Sequence, residues 1–217
     1  MSELRPELLL QAYAIGVFPM AEGRNDNRTF FVDPENRGVL PLDGFHISRS
    51  LRKETKRRRF EIRCDTDFRG VLEGCAESRA ERPDTWINEE IFKLYMSLHE
   101  MGYGHSVECW QDGRLVGGLY GVALGAAFFG ESMFSRRPNA SKVALVHLVA
   151  RLKASGFTLL DSQFITDHLV QFGAIEIPRQ DYRDKLAEAL RIPAEFYSAP
   201  DDWPFVEALL QSSSQTS

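Results

Sequence analysis

Three apolar segments in the middle of the chain constrain its fold more than any other feature. Ser106–Trp110 and Leu115–Val122 flank Asp112-Gly113, and Asp-Gly between two apolar segments is typical of a β-hairpin. Gly125 then turns the chain into a third apolar segment, Ala126–Glu131. The sequence therefore predicts three consecutive antiparallel strands.

Helix and strand signals surround these strands in a definite order. Before them, the sequence predicts a strand over Phe60–Cys64 and helices over Asp67–Glu77 and Glu89–Met101. After them, it predicts a central helix from Asn139 or Ser141 to Ala154, then a strand Phe157–Asp161, a helix Thr166–Phe172, a strand near Ile175 and a helix Asp181–Leu190. We therefore expect an α+β fold with an N-acetyltransferase-like (acyl-CoA N-acyltransferase) mixed sheet flanked by helices.

The first 45 residues differ in character from the rest. A helix is predicted from Pro6 to Ile15, and Val17–Phe45 is rich in Pro, Gly, Asn and Asp, which predicts loops around one apolar segment, Thr29–Val32. We therefore divide the chain into a small annex, residues 1–45, and a main domain, residues 46–217. The tail 212–217 is expected to be disordered.

Composition argues against several classes of protein. No apolar segment approaches the roughly 20 residues of a membrane span, and no basic-then-apolar signal segment opens the chain. Cys64, Cys75 and Cys109 form no C-x-x-C pair, so we expect buried thiols rather than disulfides or a zinc site. These observations predict a cytoplasmic protein without a metal.

A basic segment stands out against a net charge of −5. The segment from His46 to Arg63 contains eight basic and two acidic residues, so its charge is about +6. Most charge runs are solvated helix faces. On an otherwise acidic chain, however, a basic segment indicates phosphate contacts, so we expect an RNA or nucleotide phosphate partner.

Three polar side chains follow apolar segments at what look like neighbouring strand ends. Glu131 follows Phe128-Phe129-Gly130, and Asp161 and Gln163 follow Leu159-Leu160. An isolated Glu would indicate the solvated end of a strand. A second carboxylate and an amide at the same edge of one sheet instead predict a functional site.

Nine motifs resemble those of the bacterial leucyl/phenylalanyl-tRNA–protein transferases. They occur in the family's order from about residue 10 to residue 183: Ala12-Tyr13-x-x-Gly16-x-Phe18-Pro19-Met20, Phe45-His46-Ile47-Ser48-Arg49-Ser50, Thr85-Trp86-Ile87, His105-Ser106-Val107-Glu108, Leu115-Val116-Gly117-Gly118-Leu119-Tyr120-Gly121, Gly130-Glu131-Ser132-Met133-Phe134-Ser135, Ala140-Ser141-Lys142, Asp161-x-Gln163 and Phe172-Gly173-Ala174. The combination is far more specific than any single motif.

The resemblance implies an aminoacyltransferase. It would move Leu or Phe, and Met less well, from aminoacyl-tRNA to the N-terminal amine of proteins that begin with Arg or Lys, marking them for degradation. An aminoacyl ester is already activated, so no cofactor, metal or covalent nucleophile is expected. The implied partners are Leu-tRNA, Phe-tRNA and acceptor proteins, with no membrane, and we expect a monomer.

The resemblance also assigns roles to individual residues. Asp161 and Gln163 would form the catalytic pair, with Asp161 orienting Gln163 and relaying the proton of the incoming amine, and Glu131 would hold the donor's ammonium group. The pocket for the donor side chain would be formed by Leu119, Phe128, Met133, Leu145, Leu148, Leu152 and Leu160. Trp86 and Phe31 would contact the 3′ adenosine of the tRNA. Its phosphates would be bound by Arg49, Arg52, Lys53, Arg57 and Arg58.

Two alternatives come from other classes. An acetyl-CoA-dependent acyltransferase would share the predicted fold, but it needs a glycine-rich turn before the central helix to bind the pyrophosphate. The corresponding turn, Ser135–Ala140, has no glycine and contains a proline. A non-catalytic RNA-binding module would account for the basic segment but not for Glu131, Asp161 and Gln163.

Overall fold

The computed structural model describes residues 4–24, 26, 28–77, 85–197 and 201–212 of the chain. Their helices and strands follow in this order: α1 (Pro6–Ala14), β1 (Phe18–Met20), β2 (Phe30–Val32), β3 (Asn36–Val39), α2 (Arg49–Lys56), β4 (Glu61–Cys64), α3 (Phe68–Ala76), α4 (Glu89–Glu100), β5 (Gly104–Gln111), β6 (Arg114–Leu124), β7 (Ala127–Ser135), α5 (Ala140–Ala154), β8 (Leu159–Gln163), α6 (Asp167–Val170), β9 (Ile175–Pro178), α7 (Arg179–Arg191) and α8 (Trp203–Ser212). The predicted order of elements from β4 to α7 is confirmed.

Seven of these strands form one mixed sheet in the order β4-β5-β6-β7-β8-β3-β9. Strands β7 and β8 are parallel, and the other neighbours in this sheet are antiparallel. β5, β6 and β7 are the three consecutive antiparallel strands that the Asp112-Gly113 turn predicts. Strands β1 and β2 pair with each other in a separate two-stranded sheet. The expectation of an α+β chain with a mixed sheet is therefore confirmed.

Helices cover both faces of the large sheet and enclose two apolar cores. Helices α5, α2 and α8 pack on one face, and α1, α3, α4 and α7 pack on the other. Helix α5 is buried over most of its circumference, from Ala140 to Leu152. Because such a helix meets apolar neighbours on nearly every side, its sequence needs no polar face.

The local signals for helix ends are also confirmed. The Ser48 hydroxyl accepts a hydrogen bond from the N–H of Leu51 at 3.3 Å, and the Asn88 side chain accepts one from the N–H of Ile91 at 2.8 Å. These contacts satisfy N–H groups that the first turn of a helix leaves without partners. Gly156 ends α5 with a φ of +78°, a conformation that favours glycine.

The prediction of loops across Val17–Phe45 is wrong, because three strands lie there. Strand β3 belongs to the large sheet, between β8 and β9. Its sequence, Asn-Arg-Gly-Val, lacks the apolar alternation of a half-buried strand, since a buried arginine takes one of the positions. Helix α8 was not predicted either, and Ser212, expected in a disordered tail, is its last residue. Residues 213–217 of that tail lie outside the described residues.

The proposed division at residue 45 stays a prediction, although β3 ties the first 45 residues into the large sheet. Cys64, Cys75 and Cys109 are buried thiols, as expected. Within the described residues, no helix is long and apolar enough to cross a membrane. No group of three or more His, Cys, Asp or Glu side chains in that part of the chain is arranged to hold a metal ion.

Candidate active site

The site lies where strands β7 and β8 separate. The two strands pair in parallel from Ala127 and Leu159 to Phe129 and Asp161. Beyond that point β7 continues along β6, whereas β8 continues along β3. A cavity of about 610 Å³ opens here, and residues from both apolar cores line it. The cavity therefore connects the two faces of the sheet.

Glu131, Asp161 and Gln163 all line this cavity. The prediction that they lie on neighbouring strands is right, but their placement at strand ends is wrong for both carboxylates. Glu131 is the fifth residue of the nine-residue strand β7, and Asp161 is the third of the five in β8. The strands extend further than the apolar segments suggested because β7 stays paired with β6, and β8 with β3, beyond those segments.

Glu131 is held by two buried tyrosines. The hydroxyls of Tyr13 in α1 and Tyr95 in α4 each lie 2.7 Å from one of its carboxylate oxygens. The two hydroxyls are also 2.7 Å from each other. Burial raises the pKa of Glu131 to about 7 and raises the pKa of both tyrosines further above its usual range. Glu131, in the cavity lining, therefore titrates near neutral pH.

Gln163 lies between the two carboxylates. Its side-chain amide donates to Glu131 over 3.3 Å, and its backbone N–H donates to Asp161 over 2.8 Å. Gln163 has a φ of +59°, a conformation that L-residues other than glycine rarely adopt. The hydrogen bond to Asp161 holds the Gln163 backbone in this conformation.

Asp161 is fully buried and forms an ion pair with Arg37 of β3. The Arg37 guanidinium donates to both carboxylate oxygens, at 2.9 and 2.6 Å, and the Tyr182 hydroxyl donates to Oδ2 at 2.7 Å. With the N–H of Gln163 included, four donors occupy the carboxylate's roughly four lone-pair positions. These contacts agree with an orienting role for Asp161 but leave no free position for the predicted proton relay.

Comparisons with known proteins show which family this chain belongs to. The model of the leucyl/phenylalanyl-tRNA protein transferases matches residues 39–187, and the model of their N-terminal domain matches residues 2–35. This chain belongs to that family. A leucyl/phenylalanyl-tRNA–protein transferase of Paramagnetospirillum magneticum is 63% identical over 90% of this chain and 94% of its own length. Another, of Maricaulis maris, is 59% identical over 97% of both chains.

Solved structures give a much weaker likeness. The structure of L-PGS from Bacillus licheniformis aligns with 98% of this chain and 70% of that one at 12% identity, with a TM-score of 0.39. A TM-score this low does not establish a shared fold. The membership in the transferase family rests on the sequence matches alone.

Most of the side-chain pocket expected from the transferase family lines the cavity. Five of its seven residues do so: Leu119, Met133, Leu145, Leu148 and Leu160. Phe128 and Leu152 are buried but are not among the lining residues. Phe128 packs against Phe157 and Phe196 instead. The helical spacing that groups Leu152 with Leu148 identifies a buried face, but it does not show which part of that face adjoins a cavity.

The two aromatic residues expected near the adenosine differ in position. Trp86 lines the cavity and packs edge-on against Tyr95. Phe31 lies in β2 opposite Pro19, is 39% exposed and is not among the lining residues. Met20, in the neighbouring strand β1, lines the cavity. The contact of Phe31 with the adenosine stays a prediction.

The basic residues divide into two groups. Arg49, Lys53 and Arg57 are exposed on or beside α2, although Arg57 forms an ion pair with Glu54 at 3.0 Å. Arg52 donates to the carbonyl of Leu210, and Arg58 stacks over Trp203 at 3.7 Å. These last two side chains contact α8. For them, the expected phosphate contact competes with a role in holding the C-terminal helix.

Several residues that hold the site's carboxylates were not predicted from the sequence. Arg37 and Tyr182 hold Asp161, and Tyr13 and Tyr95 hold Glu131, from elements far along the chain. Tyr13 belongs to one of the nine motifs, which was the only available signal. Three further polar residues line the cavity: Ser162 in β8, Thr166 directly before α6 and His168 in α6.

Proposed function

We propose that this chain transfers Leu or Phe, and Met less well, from aminoacyl-tRNA to the N-terminal amine of proteins that begin with Arg or Lys. Membership of the transferase family supports aminoacyl transfer from tRNA to protein. The observation that carries the proposal is the cavity, because it joins an apolar wall to Glu131 and Gln163. The new N-terminal residue would mark the acceptor for degradation, and we propose that the enzyme acts in the cytoplasm as a monomer.

The cavity offers the donor two complementary surfaces. The leucines and Met133 on the α5 side can enclose a Leu or Phe side chain, and a charged side chain would lose its hydration there without compensation. We place the donor's ammonium group at Glu131, where charge-assisted hydrogen bonds would hold any α-amino acid. A missing methylene changes binding by about 1–3 kcal/mol, so selection among apolar donors should be modest.

The tRNA would approach along helix α2, which lies within the basic segment. Trp86 can stack on the terminal adenine, with Met20 beside it, and base stacking is indifferent to sequence. Arg49, Lys53 and Arg57 would contact acceptor-stem phosphates, whereas Arg52 and Arg58 would do so only by leaving their contacts with α8. Phe31 would lie at the margin of the adenosine site rather than within it.

The reaction needs positioning more than chemical activation. The neutral α-amine of the acceptor attacks the ester carbonyl, the C–N bond forms, the ester C–O bond breaks, and the tRNA 3′ oxygen leaves with a proton. An α-amine has a pKa near ~8, so a useful fraction is neutral at physiological pH. Gln163 can accept a hydrogen bond from this amine while its own amide donates to Glu131. We therefore assign positioning to Asp161, and amine contact to Gln163.

We also propose that the main domain, residues 46–217, has the N-acetyltransferase-like fold, which the order of elements supports. Acetyl-CoA is nevertheless a poor donor candidate. At the turn before α5, the N–H groups of Arg136, Ala140 and Ser141 already donate within the protein. Pro138 has no N–H to offer. A pyrophosphate would therefore find few free backbone donors at this helix start.

The proposal is tested by turnover with Phe-tRNA and a peptide that begins with Arg. We expect a phenylalanyl peptide with this acceptor, and little product from the same peptide after acetylation of its amine. A third arm replaces the donor by acetyl-CoA, which should give no acetyl peptide. Transfer from acetyl-CoA, or equal use of an Asp-initiated peptide, would contradict the proposed donor or acceptor respectively.

A further inference from the structure

Arg37 is a buried charged side chain that the fold holds from several directions. It is 1% exposed and lies between the rings of Phe18 and Tyr182, at 4.4 and 4.5 Å from their centres. Its third donor group binds the carbonyl of Gly16 at 2.8 Å. The planar guanidinium is therefore fixed by stacking on both faces and by hydrogen bonds along its edges.

This fixed guanidinium determines what Asp161 can do. Arg37 occupies one position on each carboxylate oxygen, and Tyr182 and the N–H of Gln163 occupy the others. Burial raises the pKa of Tyr182, so its hydroxyl keeps its proton and donates. A proton could reach Asp161 only after one of these four contacts had broken. The carboxylate is thus held as an acceptor of hydrogen bonds.

The contact that reaches the reacting atoms is the one to the Gln163 backbone. Gln163 adopts a left-handed conformation, and the hydrogen bond from its N–H to Asp161 keeps it there. From this backbone the side-chain amide reaches Glu131. Without the contact, relaxation of φ to negative values would turn the amide away from Glu131.

We propose that Arg37 is a positioning residue for aminoacyl transfer, which acts by fixing Asp161 so that its carboxylate holds the backbone of Gln163 in the left-handed conformation. Tyr182 contributes the second fixed contact. The inference rests on the proposed function, and it assigns to the Arg37–Asp161 ion pair a geometric role instead of proton transfer. It also gives the N-terminal segment, through Gly16 and Phe18, a part in positioning Arg37.

The test uses Arg37→Gln, Asp161→Asn and the double variant. Each single substitution leaves one buried charge without its partner, whereas the double variant removes both charges. Asparagine keeps an oxygen for the N–H of Gln163, and its amide can donate to the hydroxyl of Tyr182. Arg179→Gln, which alters another arginine bound to backbone carbonyls near β3, is the matched control.

Two quantities should change together. We expect each single variant to lower kcat at least tenfold with the KM for Phe-tRNA within twofold of wild type, and the double variant to recover to within about tenfold of wild-type kcat. Hydrogen exchange at the backbone N–H of Gln163 should be faster in the single variants than in the wild type, and slow again in the double variant. Arg179→Gln should change neither quantity.

Three results would overturn the inference. In the first, the double variant folds but is as inactive as Asp161→Asn, as a proton-relay role requires. In the second, Arg37→Gln keeps wild-type kcat. In the third, every loss of activity follows the fraction of unfolded protein. Absence of transfer by the wild type, with normal protection of the Gln163 amide, would instead contradict the proposed function.

Discussion

Glu131 should lower the stability of the protein at alkaline pH. Its pKa is about 7 in the folded state against 4.5 for a free glutamate. Because the folded state binds this proton more tightly, stability falls as pH rises between those two values and then levels off. A shift of about 2.5 units corresponds to about 3 kcal/mol at 1.36 kcal/mol per unit.

Glu131→Gln removes this titration and keeps a side chain of similar shape. The free energy of unfolding of the variant, minus that of the wild type, should therefore increase by about 3 kcal/mol between pH 4.5 and pH 8. Transfer activity should fall at the same time, because a neutral amide binds an ammonium group less well than a carboxylate. Between pH 4.5 and pH 8 the variant would thus gain stability relative to the wild type while being less active, a combination typical of a functional site.

The measurement is urea denaturation of both proteins at half-unit pH steps, with the slope in urea required to agree between them. Other titrating groups cancel in the difference if the substitution leaves their surroundings unchanged. A difference that stays flat across this range would refute the reasoning. A difference of the opposite sign would mean that the tyrosines stabilise the ionised carboxylate more than burial destabilises it.

The remaining predictions concern the donor. Leu148→Ala should lower kcat/KM for Phe-tRNA by a factor that corresponds to about 1–3 kcal/mol. Leu152 lies outside the cavity lining, so Leu152→Ala should instead lower the free energy of unfolding by about 2–5 kcal/mol and leave the activity of folded molecules unchanged. Trp86→Ala should weaken the binding of both Phe-tRNA and a minimal aminoacyl-adenosine by about 1–3 kcal/mol. Weaker binding of the tRNA alone would argue against adenine stacking. Arg49→Ala with Lys53→Ala should raise the KM for all donor tRNAs and reduce its log–log salt slope by about one unit per lost contact, with aminoacyl-adenosine unaffected. Equal losses with aminoacyl-adenosine would make these residues structural.

Local sequence signals correctly predicted the helices, caps and turns that depend on a few neighbouring residues. The Asp112-Gly113 turn, the caps Ser48 and Asn88, and the central helix are each encoded within a few residues. Strand β3 could not be predicted in this way. It carries a charged residue, Arg37, whose burial depends on a partner 124 positions away along the chain. Long-range pairing, rather than local propensity, makes this segment a strand.

The candidate site shows the same division. Polar residues after apolar segments identified Glu131, Asp161 and Gln163, because a strand needs a reason to interrupt its apolar pattern. The sequence could not show what surrounds them. Tyr95 looks like an ordinary core aromatic, since Glu131 is brought to it only by packing of α4 against the sheet. For the same reason, Phe128 and Leu152 could be recognised as buried but not as outside the cavity.

The contacts among Tyr13, Tyr95 and Glu131 can be considered by counting hydrogens. Three oxygen-to-oxygen contacts of 2.7 Å link the two hydroxyls and the carboxylate. With an ionised carboxylate, only the two hydroxyl hydrogens are available for these three contacts. A protonated carboxyl supplies a third hydrogen, so that each contact becomes a hydrogen bond and the three groups form a closed ring. An arriving ammonium group brings its own hydrogens and replaces that proton. Donor binding near neutral pH should therefore release a proton, and its calorimetric enthalpy should change with the ionisation enthalpy of the buffer.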